Sequence, residues 1–197
     1  MATELAREPS PGRILRVALD LFSSKGYDAA SVREICQAAG ITKPTLYHFY
    51  GSKEGVYRAL VDGALQGFRQ RLLDALAIPG PIRDRLERVA RAYLGSARDH
   101  RQMLRFLFGL IHNPPSSAPA TDFPRFYEEL VADVGRAIDA AVAAGELRPA
   151  PTEIRLLVFM GALGEATCGS LLCGRPELTP ELADHLVADI LGGWTTR

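Results

Sequence analysis

The stretch S-V-R-E-I-C-Q-A-A-G-I-T-K-P-T-L-Y-H-F-Y-G-S-K-E, residues 31–54, decides the fold. Ser31 followed three residues later by Glu34 forms a capping box, which satisfies two orphan N–H groups at the start of a helix. Val32, Ile35, Cys36 and Ala39 then recur at i, i+3, i+4 and i+7, one apolar face on a helix of about two turns. Gly40 takes a turn. Thr42 is placed to cap a second helix, whose first turn tolerates Pro44 because those N–H groups lack helical partners anyway. Gly51-Ser52 breaks that helix, and Ser52 caps another. The middle helix carries Lys43, Thr45, Tyr47 and His48, polar groups on a segment too short to be mostly core. This is the layout of a helix-turn-helix whose second helix enters the DNA major groove.

The same reading extends outward. Ser10-Pro11 places a cap residue before a proline at the first helical position, and Ile14, Ala18, Leu21 and Phe22 follow at helical spacing until Gly26. Beyond Ser52, a long helix runs through Tyr57, Leu60, Val61, Ala64, Phe68 and Leu72 to Pro79-Gly80-Pro81. Leu86, Val89, Ala90, Tyr93 and Leu94 mark the next helix, and Met103, Phe106, Leu107, Leu110 and Ile111 another. Residues 113–121 (N-P-P-S-S-A-P-A-T) read as a loop. A long helix over 126–144 ends at Gly145 and the Pro149/Pro151 pair. Residues 154–173 are apolar nearly all round and rich in Gly and Ala. A last helix opens with Thr179-Pro180-Glu181 and carries Leu182, Leu186, Ile190 and Trp194. No stretch alternates with period two, so the chain is predicted all-α, with about nine helices and no sheet.

Composition narrows the function. Apolar residues are 47% of the chain, enough for a core and too many for a disordered chain. No run of about 18 apolar residues escapes charge or proline, so no membrane span is expected. The first residues lack the apolar region of a secretory signal. Cys36, Cys168 and Cys173 show no CxxC spacing and suit the reducing cytosol, so a cytoplasmic protein is expected. The formal net charge is zero, but its distribution matters more than its sum. The charge up to Arg58 is +2, and all three lysines, Lys25, Lys43 and Lys53, lie there.

A helix-turn-helix needs a small core, donors for phosphates and side chains aimed at base edges. Val32, Ile35, Leu46 and Phe49 are expected to form the core. Ser31, Thr42 and Ser52 begin helices and can aim hydroxyl and N–H groups at phosphates. Lys43, with Arg33 on the preceding helix, can donate to guanine O6 and N7, and Pro44 can meet a thymine methyl. Tyr47, His48 and Lys53 are placed to hold the phosphate backbone. The bland alternatives are packing for Tyr47 and plain solvent exposure for His48, while Phe49 and Tyr50 are read as packing rather than contact.

The run A-G-I-T-K-P-T-L-Y-H-F-Y-G-S-K-E-G-V-Y, preceded by L-F-S-S-K-G-Y-D-A-A-S and V-R-E-I, resembles the signature of TetR/AcrR-family transcriptional regulators. The resemblance covers about residues 10–60. It implies a DNA-binding domain over 1–55 and a helical dimerisation and effector-binding domain over 56–197. By position it implies base contacts from Arg33, Lys43 and Pro44, and mostly phosphate contacts from Ser31, Thr42, Thr45, Tyr47, His48 and Lys53. It also implies double-stranded operator DNA and a small-molecule effector as partners, with a homodimer paired through the last two helices. Small residues such as Gly161 and Gly164, with Leu163, Leu171, Leu182, Leu186 and Ile190, are the residues expected at that interface.

An apolar effector pocket is expected from Tyr93, Met103, Phe106, Leu107, Leu110, Phe126, Tyr127, Phe159 and Met160, with Arg105, His112 or Glu165 adding a polar contact. An apolar or aromatic ligand would suit it, and plain core is the alternative. His100, His112 and His185 have no clustered partners, so neither a metal nor a cofactor is expected. There is no P-loop, G-x-S-x-G, H-E-x-x-H or G-x-G-x-x-G, and no enzyme is expected. The expected function is repression from a palindromic operator with release by the effector. An activator, an effector-independent regulator, or a helical ligand-binding module without DNA binding are the alternatives.

Overall fold

Short apolar stripes separated by glycine and proline leave the chain little choice but successive helices. The computed structural model describes residues 10–112 and 117–194, except the side chain of His112. The N-terminal residues read above for a signal, the first part of the 113–121 loop and the polar contact expected of His112 therefore lie outside the described residues. Among those described there are nine helices and no strand: α1 (Pro11–Ala29), α2 (Val32–Ala39), α3 (Lys43–Tyr50), α4 (Lys53–Ala77), α5 (Ile82–Asp99), α6 (Arg101–His112), α7 (Phe123–Ala143), α8 (Thr152–Cys173) and α9 (Pro180–Gly192). α1 is interrupted at Gly26, whose φ of +82° no helix contains.

The described residues pack as two compact units, residues 10–64 with 102–112 and 117–121, and residues 65–101 with 122–194. The first unit is built on an aromatic cluster. Phe22, Tyr27, Tyr57 and Phe106 meet with ring centroids 5.0–6.4 Å apart. Such offset and edge contacts add to the area these rings bury. Burial pushes the Tyr27 and Tyr57 phenols up.

The second unit closes its helix ends with charge. Arg85 Nε donates to Leu76 O at 3.1 Å, and Arg88 Nη2 donates to Ile78 O at 2.7 Å. Both place cations at the negative end of the α4 dipole. Glu146 accepts from Ile82 N at 2.7 Å, an acid at the positive end of α5. Asp133 on α7 is buried and accepts from Arg69 Nε on α4 at 2.8 Å, while Arg136 also bonds to it. By length and composition α8 is apolar enough to cross a membrane, contrary to the expectation that charge breaks every such run. Only Arg155 and Glu165 interrupt residues 154–173. One side of α8, including Phe159, Leu163, Ala166 and Ser170, is buried in the unit as core.

Candidate nucleic-acid interface

The reader is assembled from local signals. The Ser31 hydroxyl accepts from Glu34 N at 3.3 Å, and Glu34 Oε2 accepts from Ser31 N at 2.9 Å, so the capping box forms as the spacing predicts. Lys25 pairs with the same carboxylate. The hydrogen bond from Lys25, and then that from Ser31, hold the Glu34 carboxyl down to about 2. Ile35, Cys36 and Ala39 are buried, and burial pushes the Cys36 thiol up against a smaller opposing pull from Lys43. Gly40 ends α2 in the left-handed region at φ +65°, where Ile41 N donates to Cys36 O at 3.0 Å. This is the closure glycine permits at a helix C-terminus.

α3 then starts at the Thr42 cap, whose hydroxyl accepts from Thr45 N at 3.4 Å and bonds the Thr45 hydroxyl at 2.9 Å. Only Leu46 of α3 is buried. Thr42, Lys43, Pro44, Tyr47 and His48 are exposed, and Thr45 is half-buried. Arg33 on α2 and Ser31 at its cap are also exposed. Phe49, expected in the hairpin core, is instead 40% exposed, although three residues from Leu46 places it on the neighbouring side of α3. Tyr50 hangs the end of α3 on α1 through a 2.9 Å bond from its hydroxyl to Pro11 O.

Beyond the Ser52 cap, which the sequence predicts, the roles of Gly55 and Lys53 are not visible in the motif. Ser52 caps α4 by accepting from Gly55 N at 3.0 Å. A Cβ at Gly55 would stand 1.8 Å from Tyr50 O, so this glycine is what lets α4 leave α3 so abruptly. Lys53, expected at a phosphate, is half-buried and turned toward α1. It donates to Tyr27 O at 2.9 Å and to Ala30 O at 3.0 Å.

The residues expected at an effector are divided between the units. Met103, Phe106, Leu107 and Leu110 belong to the first, where Phe106 and Leu110 are buried. Tyr93, Phe126, Tyr127, Phe159 and Met160 belong to the second. There Phe68 on α4 meets Tyr93 edge-on at 5.1 Å and Phe126 at 6.5 Å. Burial, with a smaller push from Tyr127, raises the Tyr93 phenol to about 12. Phe159 and Met160 are buried, and Tyr127 is exposed. Among the described residues, no three His, Cys, Asp or Glu converge as a metal site.

On α8 the exposed residues Ile154, Leu157, Val158, Gly161, Glu165 and Leu172 form one stripe at helical spacing, with Glu153 and Cys173 also exposed near its two ends. Glu165 thus points away from the core rather than into a pocket. Leu163 and Leu171, expected at a dimer interface, lie on the opposite side and are buried in the unit's own core, so they have no area to offer a partner. Gly164, Leu182, Leu186 and Ile190 are half-buried, and Gly161 is exposed.

The family model for bacterial regulatory proteins of the tetR family matches residues 14–60, the span of α1 to early α4. The transcriptional activator FasR of Mycolicibacterium smegmatis is 33% identical over 108 residues, 53% of this chain. The chain spans about half the length of that relative, 48% of it. The transcriptional regulator RutR of Escherichia coli K12 is 30% identical over 159 residues, covering 75% of this chain and 68% of RutR. Among solved structures, the TetR-family regulator PfmR of Thermus thermophilus superposes with a TM-score of 0.72 at 24% identity, over 92% of this chain and 95% of that one. This last match is one of fold.

Proposed function

Because the chain belongs to the tetR family of bacterial regulatory proteins, we propose that it is a DNA-binding transcriptional regulator of the cytoplasm. It reads a palindromic operator as a homodimer and represses until a small apolar or aromatic effector releases it. The observation that carries this reading is α3: eight residues, one buried side chain, and an outward surface of Lys43, Pro44, Tyr47 and His48. An isolated helix of that length is not stable in water. Its fixed presentation by α1, α2 and the Thr42 cap makes sense as a surface offered to a partner. Its donors suit base edges and phosphates, with Ser31, Arg33 and Thr45 beside them.

Residues 1–55 are the DNA-reading part and 56–197 the dimerising and effector-binding part. The second copy covers the α8 stripe, Gly161 included, with Gly164, Leu182, Leu186 and Ile190 at its edges. The effector enters the second unit near Tyr93, Phe126, Tyr127, Phe159 and Met160. There Phe68 and Arg69 of α4 already contact α5 and α7. A shift of α4 carries the signal to the reader, with a coupling on the order of 1–3 kcal/mol. Binding and release, not catalysis, are the chain's work.

The test is selection of duplexes from a random-sequence pool, followed by binding of the enriched sequence to wild type and to Lys43→Ala. A palindrome should emerge, and Lys43→Ala should relax preference at one base position per half-site by about 1–3 kcal/mol. No enrichment means a helical ligand-binding or interaction module instead. An activator is the second reading, favoured by the name of the relative FasR. A reporter under the protein's own promoter, with and without the gene, gives the sign.

A further inference from the structure

Lys53 is the first residue of α4, where the positive end of the helix dipole disfavours a cation. Its own helix therefore gives no reason for a lysine. The reason lies across the unit. Gly26 interrupts α1, and the chain leaves it at Ala30 in an extended conformation. The carbonyls of this last turn are among those a helix end leaves without partners. The Lys53 ammonium meets two of them, Tyr27 O at 2.9 Å and Ala30 O at 3.0 Å, and stands 4.1 Å above the Tyr27 ring. It thus satisfies carbonyls of the short turn between the Gly26 break and α2, and gains a cation–π contact as well.

Ala30 directly precedes Ser31, the cap of α2. Lys53 directly follows the turn that ends α3. The two ends of the helix-turn-helix are therefore fastened to one another through a single ammonium group. From this we infer that Lys53 is a positioning residue of the reader: it closes residues 31–52 into one block that moves with the first turn of α4, and its effect on DNA binding comes through that block rather than through a phosphate. The inference rests on the DNA-binding reading for its consequence, though not for its geometry. Two of the three ammonium donors are engaged by these carbonyls.

The experiment starts with the free wild-type protein. The chain contains only three lysines, so ammonium NMR signals assign readily. Lys53 should show slowly exchanging ammonium protons without DNA, and exposed Lys43 should not. A Lys53 signal that exchanges like that of Lys43 overturns the inference. Lys53→Met, which keeps the stem over Tyr27, should then raise amide exchange at residues 30–34 by about tenfold or more, as loss of charge-assisted bonds requires.

On a duplex selected by wild type, the same variant should lose discrimination against a scrambled duplex by about tenfold. It should leave the slope of log K against log salt unchanged, and a slope is insensitive to the folded fraction. A slope flatter by about one unit, with discrimination and exchange as in wild type, marks a phosphate clamp and overturns the inference. If wild type enriches no duplex at all, the DNA-binding reading fails, while the ammonium and exchange measurements still decide the fastening.

Discussion

Replacing Leu157 by glutamate should separate the two subunits of the proposed dimer. Leu157 is 68% exposed in the single chain, and its neighbours on the α8 stripe, Ile154, Val158 and Leu172, are 58%, 44% and 78% exposed. Fully burying one such side chain is worth roughly 1.5–3 kcal/mol. Covering Leu157 is therefore worth about 1–2 kcal/mol per copy, since about a third of it is already covered. A two-fold interface contains the residue twice. Leu157→Glu thus weakens the dimer by about 2–4 kcal/mol, roughly 30- to 1000-fold in Kd, and desolvation of the new carboxylates pushes toward the upper figure. Sedimentation equilibrium over a dilution series reads the change. Because Leu157 has little to do with the core of its own unit, far-UV helicity at dissociating dilution should match wild type. A variant that sediments as wild type throughout, or a wild type that is monomeric at every concentration, refutes the reasoning.

Gly55→Ala puts a Cβ against Tyr50 O, where 1.8 Å is available and backbone has to move. Urea denaturation should show a loss of about 1–3 kcal/mol, and an unchanged midpoint counts against the junction as described. Arg155 is 2% exposed, bonds to Arg148 O through Nη2, and leaves Nε and Nη1 without partners. Burial, with a smaller push from Arg148, lowers its pKa. Arg155→Met removes those orphaned donors at the expense of one hydrogen bond and a stack on Trp194 at 5.4 Å, so calorimetry should show a higher Tm, by about 1–3 kcal/mol of stability. A fall in Tm contradicts this. Glu34 has its carboxyl lowered from 4.5 to about 2 in the folded chain. A depressed acid stabilises above its unfolded pKa, and that contribution is lost as pH falls from about 4.5 toward 2. Glu34→Gln should therefore flatten the pH dependence of thermal unfolding in this window, and identical profiles count against the Lys25 pair and the Ser31 cap as charge-dependent contacts.

What was legible in the chain is what local physics decides. The capping box at Ser31, the left-handed turn at Gly40 and the Thr42 cap depend on residues three or four apart, and each is formed as the spacing predicts. Phe49 turns outward against the expectation from its apolarity, because an eight-residue helix resting on Leu46 presents most of its circumference to solvent. Residues 154–173 are apolar nearly all round, so periodicity has no phase there to say which side faces a partner. Only packing against the rest of the unit shows that Leu163 and Leu171 turn inward while Leu157 and Leu172 turn out. The last helix ends at Gly192, so Trp194, read as its final apolar step, is buried just beyond it. Lys53 and Gly55 carry no local signal either. Their partners, Tyr27, Ala30 and Tyr50, are fixed by how α1, α3 and α4 meet.

The central claim is that α3 faces base pairs and is presented twice by a symmetric pair. A hydroxyl-radical footprint on the duplex selected by the wild-type protein tests it most directly. Two equivalent protected patches, centred about 34–36 Å apart or a multiple of that on one face, are expected, both weakened by Leu157→Glu. A single patch without symmetry, or no protection of any selected duplex, contradicts it.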